Sequence, residues 1–214
     1  MADEANANPA MPEGEAGSAM LDRMNGGNHE VLANWGLQYV QFDDMEFALD
    51  IGCGGGANLQ RLLDRMPFGN VCGVDVSPLA VQKSTEFNAA AVEQGAVSVS
   101  LGSADDLSEF ANSTFDLVTA FETVYFWKDM PAALEEIKRV LIPGGTFLIC
   151  NEADGSDSDH YIMAMRHPGM TIYTPRQLDD MLREAGFKKV EIYDDVKTGH
   201  VAAVAKKPKM PQKL

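Results

Sequence analysis

The chain has 214 residues, enough for one full α/β domain with a sizeable core and too few for two comfortable ones. Its net charge of −15 belongs to the body, because four acids in residues 1–20 offset four lysines in residues 206–214, and a surface of that sign disfavours nucleic acid and anionic membranes as partners. Three cysteines (Cys53, Cys72 and Cys150), with no CxxC and no zinc-type histidine spacing, argue against a disulfide framework or a structural metal and read as buried reduced thiols.

In chain order, residues 1–19 are rich in Ala, Glu, Gly, Asn and Pro without apolar periodicity, and are expected to be a disordered leader. They lack the basic start and apolar middle of a secretory signal. No later run approaches the roughly 18 apolar residues of a membrane span, so a soluble, cytoplasmic protein is expected. Residues 20–43 read as two short lid helices broken at Gly26-Gly27, the second placing Val31, Leu32, Trp35 and Tyr39 at helical spacing.

Apolar strand-like runs then alternate with helices: EFALDI (46–51), NVCGVDV (70–76), VSVSLG (97–102), FDLVTAF (115–121), GTFLICN (145–151), KKVEIYD (188–194) and HVAAVAK (200–206). That alternation predicts a largely parallel sheet covered on both faces. Ser77-Pro78 and Thr174-Pro175 mark helix starts, the latter with Gln177 completing a capping box, and Asp129 can cap a helix holding Leu134, Ile137 and Leu141 that stops at Pro143-Gly144-Gly145. Only a short turn separates the last two strands, so they must pair antiparallel. Residues 207–214 are a basic, proline-interrupted tail, which leaves 20–206 as the domain.

The most informative stretch is LDIGCGGGAN, residues 49–58. Glycines between a strand and a helix permit positive φ and a close backbone approach, and a helix start offers unpaired N–H groups to an anion. Gly52-x-Gly54-x-x-Ala57, with Asp75 about 20 residues on, also satisfies the dinucleotide fingerprint. Asp50 is the discriminating feature: an apolar residue is expected in a buried parallel strand, and a buried carboxylate needs a compensating partner such as a cationic ligand.

Taken with that turn, the segments ALDIGCGGG, GVDVSP, GSADDL, FDLVTAFE and LIPGGTFLI, in this order and spacing, resemble the class I S-adenosylmethionine (SAM)-dependent methyltransferases, closely over about residues 46–151. The resemblance implies a Rossmann-like, seven-stranded, mostly parallel sheet with helices on both faces and the last strand inserted antiparallel before the sixth. It implies SAM as cofactor. Asp50, Gly52, Cys53, Gly54 and Gly56 would form the loop around the methionine half and ribose, and Asp75 would accept the ribose hydroxyls. Val76 would lie against the adenine, Ala104 and Asp105 would meet its edge, with Asp106 an alternative to Asp105, and Phe121 would close the pocket near the sulfonium.

SAM carries an already activated methyl, so the protein chiefly aligns a nucleophile and excludes water, and the acceptor is not legible from chemistry alone. Position after the fourth strand nominates Glu122 and Tyr125 as catalytic, with Thr123, Phe126 and Trp127 beside them. An aromatic cluster with one acid suits a flat or cationic small molecule. From the lid helices, Asn25, His29 and Trp35 fold over the same opening; His29 is the general-base candidate, and Asn25, Trp35, Tyr125 and Trp127 are the substrate candidates. The loop 152–160 reads as a solvated acidic segment of a substrate lid. Glu122 with Asn151 and Glu152 falls near the metal ligands of magnesium-dependent catechol-type methyltransferases, but at a different spacing, and no metal is expected.

No [DN]-P-P-[YW] motif, Pro-Cys nucleophile or paired-acid loop is present, which argues against nucleic-acid bases and protein arginines as acceptors. The reading is therefore a SAM-dependent methyltransferase for a small molecule, a monomer or homodimer. Two alternatives compete with it. One is a non-catalytic SAM-binding regulatory protein; the other is an NAD(P)-dependent oxidoreductase, for which Tyr193-x-x-x-Lys197 mimics a known catalytic pair but falls on a predicted edge strand.

Overall fold

In a computed structural model, which describes residues 7–167 and 169–209, the alternation of apolar runs resolves into a seven-stranded sheet. Its strands are β1 (Phe47–Ile51), β2 (Asn70–Asp75), β3 (Val97–Leu101), β4 (Phe115–Phe121), β5 (Leu141–Asn151), β6 (Lys188–Asp195) and β7 (His200–Lys206). They lie in the order β3-β2-β1-β4-β5-β7-β6. Only β7 runs antiparallel, to β5 on one side and β6 on the other. The inserted final strand is thus where the sequence placed it.

Helices α1 (Gly14–Met24), α2 (Asn28–Leu37), α3 (Ala57–Arg65), α4 (Pro78–Phe87), α5 (Ala89–Glu93), α6 (Met130–Val140), α7 (Ser158–Arg166) and α8 (Pro175–Glu184) complete the chain. Period-two alternation feeds two core layers: on β5, Phe147 and Ile149 face Ile137 of α6 and Leu178 of α8, while Leu148 and Cys150 face Leu32 of α2 and Leu59 of α3. Each large aliphatic side chain so buried contributes roughly 1.5–3 kcal/mol. Gly36 lets α2 lie directly on β5, since a Cβ there would stand 2.5 Å from the Cys150 sulfur.

The three predicted caps form. Ser77 Oγ accepts from Ala80 N at 3.2 Å, Asp129 accepts from Ala132 N at 3.0 Å, and Thr174 with Gln177 makes the reciprocal box. Each fixes where a helix leaves the sheet.

Some boundaries differ from the expectation. Leu141 is extended (φ −67°, ψ 142°) and opens β5 opposite Phe115, so α6 ends at Val140; Ile142, preceding Pro143, is disfavoured in a helix and the chain leaves it before the glycines. Within the stretch expected to be a disordered leader through residue 19, α1 starts at Gly14, and residues 1–6 lie outside the described residues. α1 buries Met20 and Leu21 and is tied to α4 by Lys83, whose ammonium meets Asp22 at 2.6 Å and donates to Ser18 Oγ at 3.0 Å. Of the basic tail, Lys207 exchanges backbone hydrogen bonds with Gly144 and Gly145, and residues 210–214 lie outside the described residues. Among the described residues, no helix is long and apolar enough to cross a membrane.

Candidate functional site: the crevice at the strand-order reversal

The sheet order reverses between β1 and β4, and an open crevice follows at the carboxyl ends of those strands. Gly52, Gly54 and Gly56 form the turn from β1 to α3 with φ of 73°, 53° and 90°, a backbone path that side-chain-bearing residues rarely take. Asp75, at the end of β2, holds the turn in place. Its Oδ2 accepts from Gly54 N at 2.9 Å and its Oδ1 from Ser77 N at 2.9 Å, so one carboxylate joins the glycine turn to the start of α4. Burial raises its pKa, and the three backbone N–H groups of Ser77, Gly54 and Val76 oppose that rise.

Asp50 lies one layer beneath. It pairs in register with Thr119 of β4, whose hydroxyl donates to Asp50 Oδ1 at 2.6 Å. The other oxygen, Oδ2, is buried with no hydrogen-bond partner among the described residues, and burial pushes the carboxyl up to about 7. Asp50 was expected to form part of the loop; instead it underlies it, because β1 carries it into the sheet interior before the chain turns.

Two connected cavities open on this crevice. The larger, about 550 Å³, falls in the range of small-molecule sites. Asp75, Val76, Ala104 and Asp105 line one end, and Phe121, Glu122, Phe126 and Trp127 the other. Met11, Leu21 and Met24 cover it. The smaller, about 60 Å³, is walled by Asn25, His29, Cys53 and Arg61, and shares Gly52, Gly54, Phe121 and Glu122 with the larger one.

Glu122 sits where the cavities meet, at a left-handed φ of 63° that is costly for a residue with a side chain. Its Oε1 accepts a short hydrogen bond from Glu152 N and a 3.2 Å bond from the Tyr125 hydroxyl. Burial, and secondarily the neighbouring Glu152 carboxylate, pushes the Glu122 carboxyl well above the ordinary range. His29 is moved the other way, down from its usual value by burial, with Arg23 and Arg61 adding to the effect and Glu152 opposing it.

Most of the nominated residues converge, but four do not reach a cavity wall. Besides Asp50, Gly56 faces Ser84 and Asn88 beneath the turn. Tyr125 is buried, its hydroxyl accepting from Ala153 N at 3.0 Å while donating to Glu122, so it orients that carboxyl without facing the opening. Trp35 packs edge-on to Tyr39 at 5.3 Å and near His200 at 5.6 Å, over the β7 side of the sheet. Its helical face points to β7 because Leu32, Ala33 and Leu37 take the inward one. Of Asp105 and Asp106, only Asp105 lines the larger cavity. In the acidic loop, Asp154 is buried and bonded to Ser156 rather than solvated. Among the described residues, no group of three or more His, Cys, Asp or Glu is arranged to hold a metal.

Sequence reasoning missed Arg61 and the segment before α1. Arg61, one turn into α3, donates to Asn58 Oδ1 at 2.7 Å and to the Asn25 carbonyl at 2.9 Å; a cation one turn past a glycine-rich turn was the available signal. Residues 8–12 line the larger cavity, anchored by the Ser77 hydroxyl donating to Pro12 O at 2.6 Å. Nothing in their low-complexity composition announces that contact.

Residues 49–149 match the family model described as a methyltransferase domain. The chain is 31% identical to a demethylmenaquinone methyltransferase of Symbiobacterium thermophilum, the alignment covering 86% of this chain and 84% of that protein. It is 30% identical to the O-methyltransferase resE of Aspergillus sclerotiorum over 68% of this chain, and spans only 56% of that protein's length. A methyltransferase in complex with the Trm112 activator of Haloferax volcanii shares the fold at a TM-score of 0.79 and 22% identity, over 89% of this chain and 94% of that one. A glycine turn joined to an aspartate at the end of β2, an inserted antiparallel strand and this pattern of relatives lead to one conclusion: the chain belongs to the SAM-dependent methyltransferases, whose methyl donor is S-adenosylmethionine.

Proposed function

We propose that this protein transfers the methyl group of SAM to a flat, weakly charged small molecule, and that residues 20–206 form the catalytic domain, over whose cavity residues 8–19 lay a cover. The observation that carries the acceptor class is the larger cavity: Phe121, Phe126 and Trp127 line it at the β4 end, residues 8–12 and Leu21 and Met24 of α1 line it too, and at about 550 Å³ it is of the size of small-molecule sites. The acidic body adds to the case against a polyanion. The names of the two relatives above, a demethylmenaquinone methyltransferase and an O-methyltransferase, fit such an acceptor.

The residues present fit the cofactor. The glycine turn leaves its backbone open to a ligand, and beneath it, behind the cavity wall, Asp50 Oδ2 is a buried oxygen without a hydrogen-bond partner among the described residues. Gly52, Cys53 and Gly54 would border the methionine portion. Asp75 would accept from the ribose hydroxyls with the lone pairs its two backbone bonds leave free, the exposed side chain of Val76 would lie against the adenine, and Ala104 and Asp105 would meet its edge. SAM supplies an electrophilic methyl on a sulfonium. The chain's own part is to hold the nucleophile in line, to exclude water with Met11, Leu21 and Met24, and to receive a proton where the acceptor carries one.

Glu122 is placed to receive that proton, with Tyr125 and the Glu152 N–H as positioning groups; His29, kept neutral by burial, stands behind it. Because a base must be ionised and burial raises the Glu122 pKa, turnover should climb as pH rises through that raised value.

The test is incubation with methyl-labelled SAM and panels of phenols, quinols and amines, followed by separation of small-molecule, protein and nucleic-acid fractions. Label in the small-molecule fraction, lowered about 100-fold or more by Glu122→Gln with loss of the pH dependence, is the expected result. Label confined to protein or nucleic acid would overturn the reading.

A further inference from the structure

The smaller cavity has a composition that the transfer reaction does not require. At about 60 Å³ it is far smaller than its neighbour, a space suited to a few waters or to the charged end of an amino acid. Arg61, on α3, and Glu122, after β4, both line it, so a guanidinium and a carboxyl share one small chamber.

Arg61 is half-buried, and its charge is desolvated without a matching anion. Among the described residues it donates two hydrogen bonds, both to neutral acceptors: Asn58 Oδ1 and the Asn25 carbonyl. Among the described residues, no carboxylate forms an ion pair with it; the acids that it feels, Glu30 and Asp50, act from beyond ion-pair distance. A guanidinium has five donors, and the two neutral acceptors that Arg61 meets leave donors free for an anion in the chamber. The planar fork of those donors matches a carboxylate. Among the described residues that line the two cavities it is the one guanidinium, and Lys128, in the lining of the larger cavity alone, is the one ammonium.

Resting on the reading that the glycine turn borders the cofactor's methionine portion, we propose that Arg61 determines cofactor specificity by receiving the α-carboxylate of that amino-acid tail in the small chamber. The alternative is that Arg61 only clamps the turn between α1 and α2 through the Asn25 carbonyl, in which case its removal loosens the roof over every ligand alike.

Two ligands that differ only in the tail separate these roles. Titration calorimetry on the full chain would compare S-adenosylhomocysteine, which carries the amino-acid tail, with 5′-methylthioadenosine, which ends at the sulfur. Arg61→Met should weaken S-adenosylhomocysteine about 10- to 100-fold while leaving methylthioadenosine within about twofold, and Arg61→Lys should recover part of the loss. Unchanged methylthioadenosine binding also reports that the variant is folded. Equal losses for both ligands, or no loss for either, would overturn the assignment. If the unaltered chain bound neither ligand, the cofactor reading would fall and this inference with it. If it bound both and Arg61→Met changed neither, only the inference would fall.

Discussion

Asp50 and Asp75 are both buried carboxylates at the edge of the same crevice, and their hydrogen bonds set them apart. Each oxygen of Asp75 has a backbone N–H, so this residue is held in the geometry that the turn needs. Asp50 has one bonded oxygen and one orphan, and its carboxyl titrates near 7. Between about pH 4 and pH 7 the folded carboxyl keeps a proton that the unfolded chain has released, so unfolding releases a proton and stability falls as pH rises through that window. Urea titrations across the window should therefore show declining stability for the unaltered chain. Asp50→Asn, which cannot ionise, should flatten that slope, and a slope unchanged by the substitution would contradict the assignment. The oddity of Asp50 was legible in the sequence as an acid in an apolar strand. Its partner was not, because Thr119 lies 69 residues away and only the register of β1 with β4 brings them together.

Elements were legible where their signal is local and lost where it is not. The caps at Ser77, Asp129 and Thr174 rest on contacts within three residues, and all three form. The β6–β7 pairing follows from a turn too short for a crossover. The first lid helix was expected from residue 20, but its extension back to Gly14 was not, because α1 buries only Gly17, Met20 and Leu21 and is held by polar ties to α4, so no apolar stripe marks those first turns. Trp35 showed the right helical spacing, but spacing alone does not say which flank of α2 meets β7. The glycine turn carries a sharper prediction. At Gly56, with φ of 90°, a Cβ would stand 2.6 Å from both Asn88 Nδ2 and Ser84 Oγ. Gly56→Ala should cost about 2–4 kcal/mol, from backbone strain added to overpacking, read as a shift in the urea midpoint. A variant as stable as the unaltered chain would mean that the turn is not held against α4 as described.

At the scale of the whole molecule, a parallel sheet with two covered faces leaves its carboxyl ends as the place for a ligand, and the reversal between β1 and β4 fixes where. That much follows from strand alternation and from the five motifs read together. The acceptor site is less legible for a physical reason: transfer of an activated methyl needs alignment and dryness more than a fixed set of side chains. The walls that shape it come from residues 8–12, α1 and the stretch after β4, which meet only in the fold.

The central claim is that the turn at residues 52–56 holds a sulfonium nucleoside and not a dinucleotide, although its glycines satisfy both fingerprints. Titration calorimetry of the full chain with S-adenosylhomocysteine and with NAD, repeated on Asp75→Ala, tests it directly. One S-adenosylhomocysteine should bind per chain, with affinity lowered at least about tenfold in Asp75→Ala through loss of charge-assisted hydrogen bonds, and NAD should give no heat. Binding of NAD by a chain that leaves S-adenosylhomocysteine unbound would contradict it.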